Sequence, residues 1–277
     1  MPLVRTQEIV DNARHAGRGV AAFNVITLEH AEAIVTGAER VGASVILQIS
    51  QNAVKFHHGR VEPIAAASAA VARAAGVSVS LHLDHVDDEA LLRRAVEAGF
   101  SSVMYDGSTL DYDANVAATR AAVDWAHHHG LWLEAELGEV GGKGGAHAPG
   151  VRTQPAEARR FVGATGVDAL AVAVGSTHAM TSRSARLDHV LIEELRNAVP
   201  VPLVLHGSSG VPDDELVRGV AAGLVKINIG TALNIAFTGA VRELLAADAD
   251  VVDPRKYTAS GREAMAATVA RLLRVLR

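Results

Sequence analysis

Eight short apolar runs, spaced along 277 residues, constrain the fold of this chain more than any other feature. They are Val20–Phe23, Ser44–Ile49, Val77–Leu83, Ser102–Tyr105, Leu131–Leu137, Ala169–Val174, Pro202–Leu205 and Leu224–Ile229. Most are near-continuous rather than alternating, the pattern of parallel strands buried on both faces. Between them lie Ala-, Glu- and Arg-rich stretches with helical spacing, among them Leu28–Val41, Asp87–Ala98, Asn115–His129 and Asp213–Ala222. Asp87, Asp88 and Glu89 supply an acidic first turn, and Gly42, Gly99, Gly130, Gly166 and Gly223 close helices before the next run. A doubly wound sheet usually has five or six strands, so eight strand–helix units predict a TIM (β/α)8 barrel of the α/β class. No linker or shift in composition divides the chain, which reads as one domain over 1–277. Two irregular stretches, Gly138–Thr153 and Ser176–Leu187, are long enough to be functional loops, and Val252–Arg277 reads as a final amphipathic helix.

In such a barrel the chemistry sits where strands run out at their C-terminal ends. Those ends read Asn24, Ser50, Asp84-His85, Asp106, Glu136, His178, His206 and Asn228. Turns recruit Asn, Asp and Ser as caps, so several of these need no functional reason. Turns do not ask for His85, His178 and His206. These lie roughly 90 and 30 residues apart, so only the fold can gather them. Three imidazoles with one open position suit a catalytic Zn²⁺ ion. Asp84, beside His85, can take a proton or anchor a histidine N–H. Glu134 and Glu136 alternate onto one face of the fifth strand, and an ion pair with Lys226 is the plain alternative for these carboxylates. His82 shares side-chain parity with Asp84 and is expected to line the barrel interior. His127-His128-His129 reads as a solvated helix end, and His57-His58 as a loop pair with no obvious partner. The loops His206-Gly207-Ser208-Ser209-Gly210 and Asn228-Ile229-Gly230-Thr231 follow the last two strands, where this fold commonly holds phosphate.

Composition removes other classes. Net charge is −5 and aromatics are 4%, which argues against a nucleic-acid partner. Cysteine is absent, so disulfides, thiolate zinc sites and thiol nucleophiles are excluded together. No run of about 18 apolar residues predicts a membrane span. The start carries charge early and lacks the apolar segment of a signal peptide, so a cytoplasmic location is expected.

Ala22-Phe23-Asn24, Leu81-His82-Leu83-Asp84-His85, Ser102 to Asp106, Glu134-Ala135-Glu136-Leu137-Gly138, Leu205 to Gly210, Lys226-Ile227-Asn228 and Asp253 to Tyr257 together resemble the class II, metal-dependent ketose-bisphosphate aldolases, fructose- and tagatose-bisphosphate aldolases included. The resemblance covers essentially the whole chain. It implies cleavage of a ketose 1,6-bisphosphate, by default fructose 1,6-bisphosphate, to dihydroxyacetone phosphate and an aldehyde. It implies His85, His178 and His206 as zinc ligands, with Glu136 as an additional or alternate ligand and Asp106 as a carboxylate of the metal region. It implies Asp84 as the base at the C4 hydroxyl, and Gly207, Ser209, Asn228, Gly230 and Thr231 around the phosphate. Asn24 is grouped with these substrate-binding residues, and Ser50 matches a position that meets the second phosphate. A monovalent cation near the phosphate and a homodimer or homotetramer are implied in the same way.

Two departures stand out. The family usually carries a proton-exchanging Glu in the loop after the fifth strand, whereas this chain has no carboxylate between Val140 and Glu157. Either His147 within that loop or a carboxylate elsewhere takes the proton-transfer role, and a sugar-phosphate-binding barrel with weak or no turnover is the second reading. After the sixth strand the family commonly has His-Gly, and here Ala179 follows His178. Lys226, in a predicted strand, is the residue for a rival Schiff-base mechanism without metal.

Overall fold

The computed structural model describes residues 2–137, 152–176 and 182–277. Eight parallel strands close into a barrel in sequence order: β1 (Val20–Asn24), β2 (Val45–Ser50), β3 (Val79–Val86), β4 (Ser102–Tyr105), β5 (Trp132–Glu136), β6 (Ala169–Ala171), β7 (Leu203–Leu205) and β8 (Leu224–Ile229). Helices α1 (Thr6–His15), α2 (Leu28–Glu39), α3 (Gln51–Phe56), α4 (Glu62–Ala74), α5 (Glu89–Arg94), α6 (Tyr112–His128), α7 (Pro155–Thr165), α8 (His189–Ala198), α9 (Asp213–Ala222), α10 (Thr231–Ala247) and α11 (Pro254–Val275) accompany them. Register ties β1 to β8, with Ala22 opposite Asn228 and Phe23 opposite Ile229.

The strand period of two divides the core into two layers. Phe23, Leu47, Leu81, Leu83, Leu133 and Ile227 belong to the layer packed with the helices. Val20, Ala22, Ile46, Trp132, Ala171 and Val204 belong to the other layer, together with Ile9 and Val10 of α1. Thus α1 stoppers the N-terminal end of the barrel. Its Thr6 is buried there, 3.0 Å from Ser101 Oγ and 3.1 Å from Ser80 Oγ. Continuing the inner parity toward the strand C-termini replaces this apolar plug with Asn24, Gln48, Asp84, Glu134, Glu136, Lys226 and Asn228, all but Asn24 buried.

One strand breaks the alternation. β3 extends three residues beyond Leu83, the end expected from its apolar run, and its pairing with β4 shifts register between Leu83 and Val86. His85 there has φ 51°. An L-residue in this left-handed region costs roughly 1–3 kcal/mol. The irregularity brings His85 to the barrel mouth beside Asp84, where strict alternation would send neighbours to opposite faces.

Candidate active site

The mouth holds a cavity of about 810 Å³. Asp84 and His85 from β3, Asp106 after β4, Glu136 from β5 and Asn228 from β8 line it, and the loops after β7 and β8 form one wall. Asp84, His85 and His206 each offer one ligand atom, and these atoms lie within 4.8 Å of one another. Among the described residues this is the one such cluster of acidic and imidazole groups.

The two imidazoles are each held by carboxylates outside the cluster. His85 Nδ1 is 2.9 Å from Asp106 Oδ2, while Asp106 Oδ1 accepts from Ser108 N at 3.1 Å and Ser108 Oγ at 2.6 Å. His206 Nε2 is 2.9 Å from Glu134 Oε1, and His206 Nδ1 is 3.3 Å from Glu136 Oε2. Glu134 Oε2 in turn pairs with Lys226 Nζ at 2.8 Å. Lys226 also donates to Asn228 Oδ1 at 2.7 Å. Gln48 donates to Asn24 Oδ1 at 2.9 Å. His82 Nδ1 is 2.8 Å from Ser102 Oγ, and its Nε2 faces Asp84 Oδ1 and Glu134 Oε2 at 3.9 Å each.

The electrostatics follow from burial and these pairs. Burial works against charge on Glu134, but Lys226 and the hydrogen bond from His206 hold its carboxyl below the ordinary range. Burial also opposes ionisation of Asp84, and the neighbouring His85 and Lys226 keep it low nonetheless. His206 is disfavoured as a cation by burial, yet its hydrogen bonds to Glu134 and Glu136 push it up to about 10. His82 goes the other way, down to about 3, because it is fully buried and faces the Lys226 charge.

The donor set fits a divalent metal ion. Asp84 Oδ1 is buried and has no hydrogen-bond partner, and two imidazoles converge beside it. A mixed imidazole and carboxylate set suits zinc.

The glycine loops after β7 and β8 bring their backbone to the cavity. Gly207 adopts φ 65°, open to glycine without strain. At Gly230 an added Cβ would come 2.9 Å from Asn24 Oδ1, so the backbone passes close only because no side chain intervenes. Ser209 Oγ accepts from Ala232 N at 3.1 Å, which ties the loop after β7 to the first turn of α10.

Matched against known proteins, residues 4–277 fit the family described as "Fructose-bisphosphate aldolase class-II". The chain belongs to the class II fructose-bisphosphate aldolase family. It is an enzyme, a lyase of the aldolase kind. A probable fructose-bisphosphate aldolase of Bacillus subtilis (strain 168) is 39% identical over 272 residues, covering 97% of this chain and 95% of that protein. A fructose-bisphosphate aldolase of Geobacillus stearothermophilus is 38% identical over 272 residues, again covering 97% of this chain and 95% of that protein. The crystal structure of the YdjI aldolase from Escherichia coli K12 superposes with a TM-score of 0.85 at 29% identity, covering 99% of this chain and 97% of that one. Class II aldolases are generally metal-dependent, in keeping with the Asp84, His85 and His206 cluster, and their substrates are small sugar phosphates.

Of the residues singled out in the sequence, Asn24, Ser50, Asp84, His85, Asp106, Glu136, Gly207, Ser209, Asn228, Gly230 and Thr231 all line the one cavity, and His206 stands behind it with its ring edge-on to His85 at 4.8 Å. His147 and His178 lie outside the described residues. Asp106 meets the His85 ring rather than joining the compact cluster. His57, expected to lack a partner, has its Nε2 2.7 Å from Ile26 O. Sequence reasoning does not single out Gln48, Ser102 or the coupling of Lys226 to Asn228. Strand parity alone places Gln48 and Ser102 on the inner face, but which polar groups meet across the barrel depends on register. No described helix is long and apolar enough to cross a membrane.

Proposed function

We propose that this class II aldolase reversibly cleaves a ketose 1,6-bisphosphate, with fructose 1,6-bisphosphate as the default substrate, to dihydroxyacetone phosphate and an aldehyde. The observation that carries this reading is the meeting of Asp84, His85 and His206 at one end of a cavity walled by the Gly207 and Gly230 loops. A volume of about 810 Å³ accommodates a six-carbon bisphosphate.

His85 and His206, with Glu136 and His178, would hold zinc. When bound, the metal supplies electrophilic stabilisation of the negative charge that develops on the three-carbon fragment. Asp84 accepts the C4 hydroxyl proton as the C3–C4 bond breaks. The bonding pair stays on C3, and the aldehyde leaves from C4. His147 then returns a proton to C3. Gly207, Ser209, Gly230 and Thr231 hold the phosphate of the three-carbon half, Asn24 and Asn228 meet its oxygens, and Ser50 meets the second phosphate. Asp106 fixes the His85 ring. The full burial of Lys226 and its pairing with Glu134 speak against a Schiff base at that lysine. The chain would act as one domain in a cytoplasmic homodimer or homotetramer.

Chelation followed by zinc add-back tests the reading. Activity should vanish on chelation and return with zinc. Full activity after exhaustive chelation, with borohydride trapping substrate on Lys226, would overturn it.

A further inference from the structure

Lys226 and Asn228 occupy the same face of β8, two residues apart, and both are buried. Lys226 Nζ sits 2.7 Å from the Asn228 amide atom assigned as Oδ1. The chemistry supports that assignment. An ammonium group donates and never accepts, so the atom facing it has to be the carbonyl oxygen. The other end of the amide, Nδ2, is therefore turned away from Lys226. It is buried, lacks a hydrogen-bond partner, and belongs to a residue that lines the cavity.

A buried donor without a partner loses its hydration with nothing in return. The fold accepts that cost at the wall of the cavity that holds Asp84 and His85. The same Lys226 Nζ pairs with Glu134 Oε2, whose other oxygen meets His206. One cation thus sets the direction of a donor on β8 and supports a carboxylate behind the cluster on β5.

We propose that Lys226 is a positioning residue. It locks the Asn228 amide in the single orientation that offers N–H to an oxygen of the three-carbon phosphate. Without the lysine the amide would be free to rotate by half a turn and present its carbonyl, which repels the same oxygen. The inference rests on the aldolase reading above for the identity of the ligand.

The test uses the full chain. Lys226→Met combined with Glu134→Gln removes the lysine without leaving a buried carboxylate uncompensated. With zinc in excess, so that any affinity lost with the Glu134–His206 contact does not leave the site empty, we expect a folded, zinc-loaded protein whose kcat falls about 10- to 100-fold, with KM changed far less. In zinc-loaded protein labelled with ¹⁵N at asparagine, dihydroxyacetone phosphate should shift the Asn228 side-chain N–H signals of the wild type and not those of the double variant. Wild-type kcat together with an unchanged amide shift in the double variant would overturn the proposal, as would an absent shift in the wild type. Should the double variant fail to fold, Asn228→Asp decides. It keeps an acceptor for Lys226 but turns a second acceptor to the cavity, so it should lose turnover, and wild-type turnover there would refute the inference. A wild-type protein that shows the amide shift yet cleaves no ketose phosphate would leave this inference standing and remove the cleavage reading alone.

Discussion

Asp106 Oδ2 lies 2.9 Å from His85 Nδ1, and the second oxygen of the same carboxylate is taken by Ser108. The imidazole is thereby anchored through Nδ1. His85 also sits at φ 51°, a conformation its side chain does not favour. The strained backbone delivers the ring to the barrel mouth, and the carboxylate fixes its rotation.

Asp106→Ala should therefore lower zinc affinity by about 10–100-fold, the usual result of removing an outer hydrogen bond from a ligating histidine. Competition titration against a chromophoric chelator measures this. Wild-type affinity would show that Asp106 does not orient the ring.

Asp84→Asn should keep the fold and lower the rate of cleavage by roughly 10²–10⁴, the range associated with loss of a general base. Steady-state assay of ketose bisphosphate cleavage, set beside zinc content, checks it. A variant with normal zinc and undiminished turnover would leave Asp84 without a proton-transfer role.

His147→Ala should depress exchange of the C3 proton of dihydroxyacetone phosphate with solvent far more than it weakens binding of that ligand. Proton NMR in deuterated water follows the exchange. An unaltered exchange rate would remove His147 from the mechanism.

Gly37 marks where α2 meets α11. A Cβ added there would come 2.6 Å from Ala266 O and 2.7 Å from Val269 Cβ. Gly37→Ala should cost about 1–3 kcal/mol through overpacking. Chemical denaturation would register the loss, and unchanged stability would mean that the two helices can separate freely.

Asp213 receives Arg183 and Arg271, so it ties α9 to α11 and to the segment before α8. Burial opposes its charge, but the two guanidinium groups hold its carboxyl below the ordinary value. A carboxyl whose pKa is lowered on folding contributes stability above its unfolded value of about 3.9, and the contribution is lost as pH falls through the folded value. Asp213→Asn should thus lower Tm at pH 7, and the gap to wild type should narrow as the solution is taken to about pH 3, below that unfolded value. A gap that persists undiminished in acid would point to a cause other than the ion pairs.

The barrel is legible in the sequence because its strands announce themselves as apolar runs. Val20–Asn24, Val45–Ser50 and Ser102–Tyr105 agree with the runs read in the sequence to within a residue or so. β3 is longer than its apolar run because Asp84 and His85 look like a turn, and nothing in their identity reveals that the strand continues through them with a shifted register. Only Glu89–Arg94 of the expected Asp87–Ala98 helix forms, as Asp88 caps it by accepting from Ala90 N at 2.8 Å. The helices α1, α3, α4, α7, α8 and α10 match none of the helical stretches named from the sequence. Of these, α1 fills the base of the barrel, a tertiary role that local pattern does not encode. Among candidate site residues, those at strand ends are readable by position. The hydrogen bonds joining Lys226, Glu134 and His206 span 92 residues of sequence and come from the order in which strands close.

That order has a cost in time. β1 pairs with β8, which is made roughly 200 residues later. At a synthesis rate of about 5–20 residues per second, the first strand waits some 10–40 s on the ribosome with one edge unpaired. Val20 to Phe23 is apolar throughout. The nascent protein is thus most prone to aggregate before its last strand emerges, and chaperone capture of ribosome-bound fragments should be strongest for those that end short of Leu224.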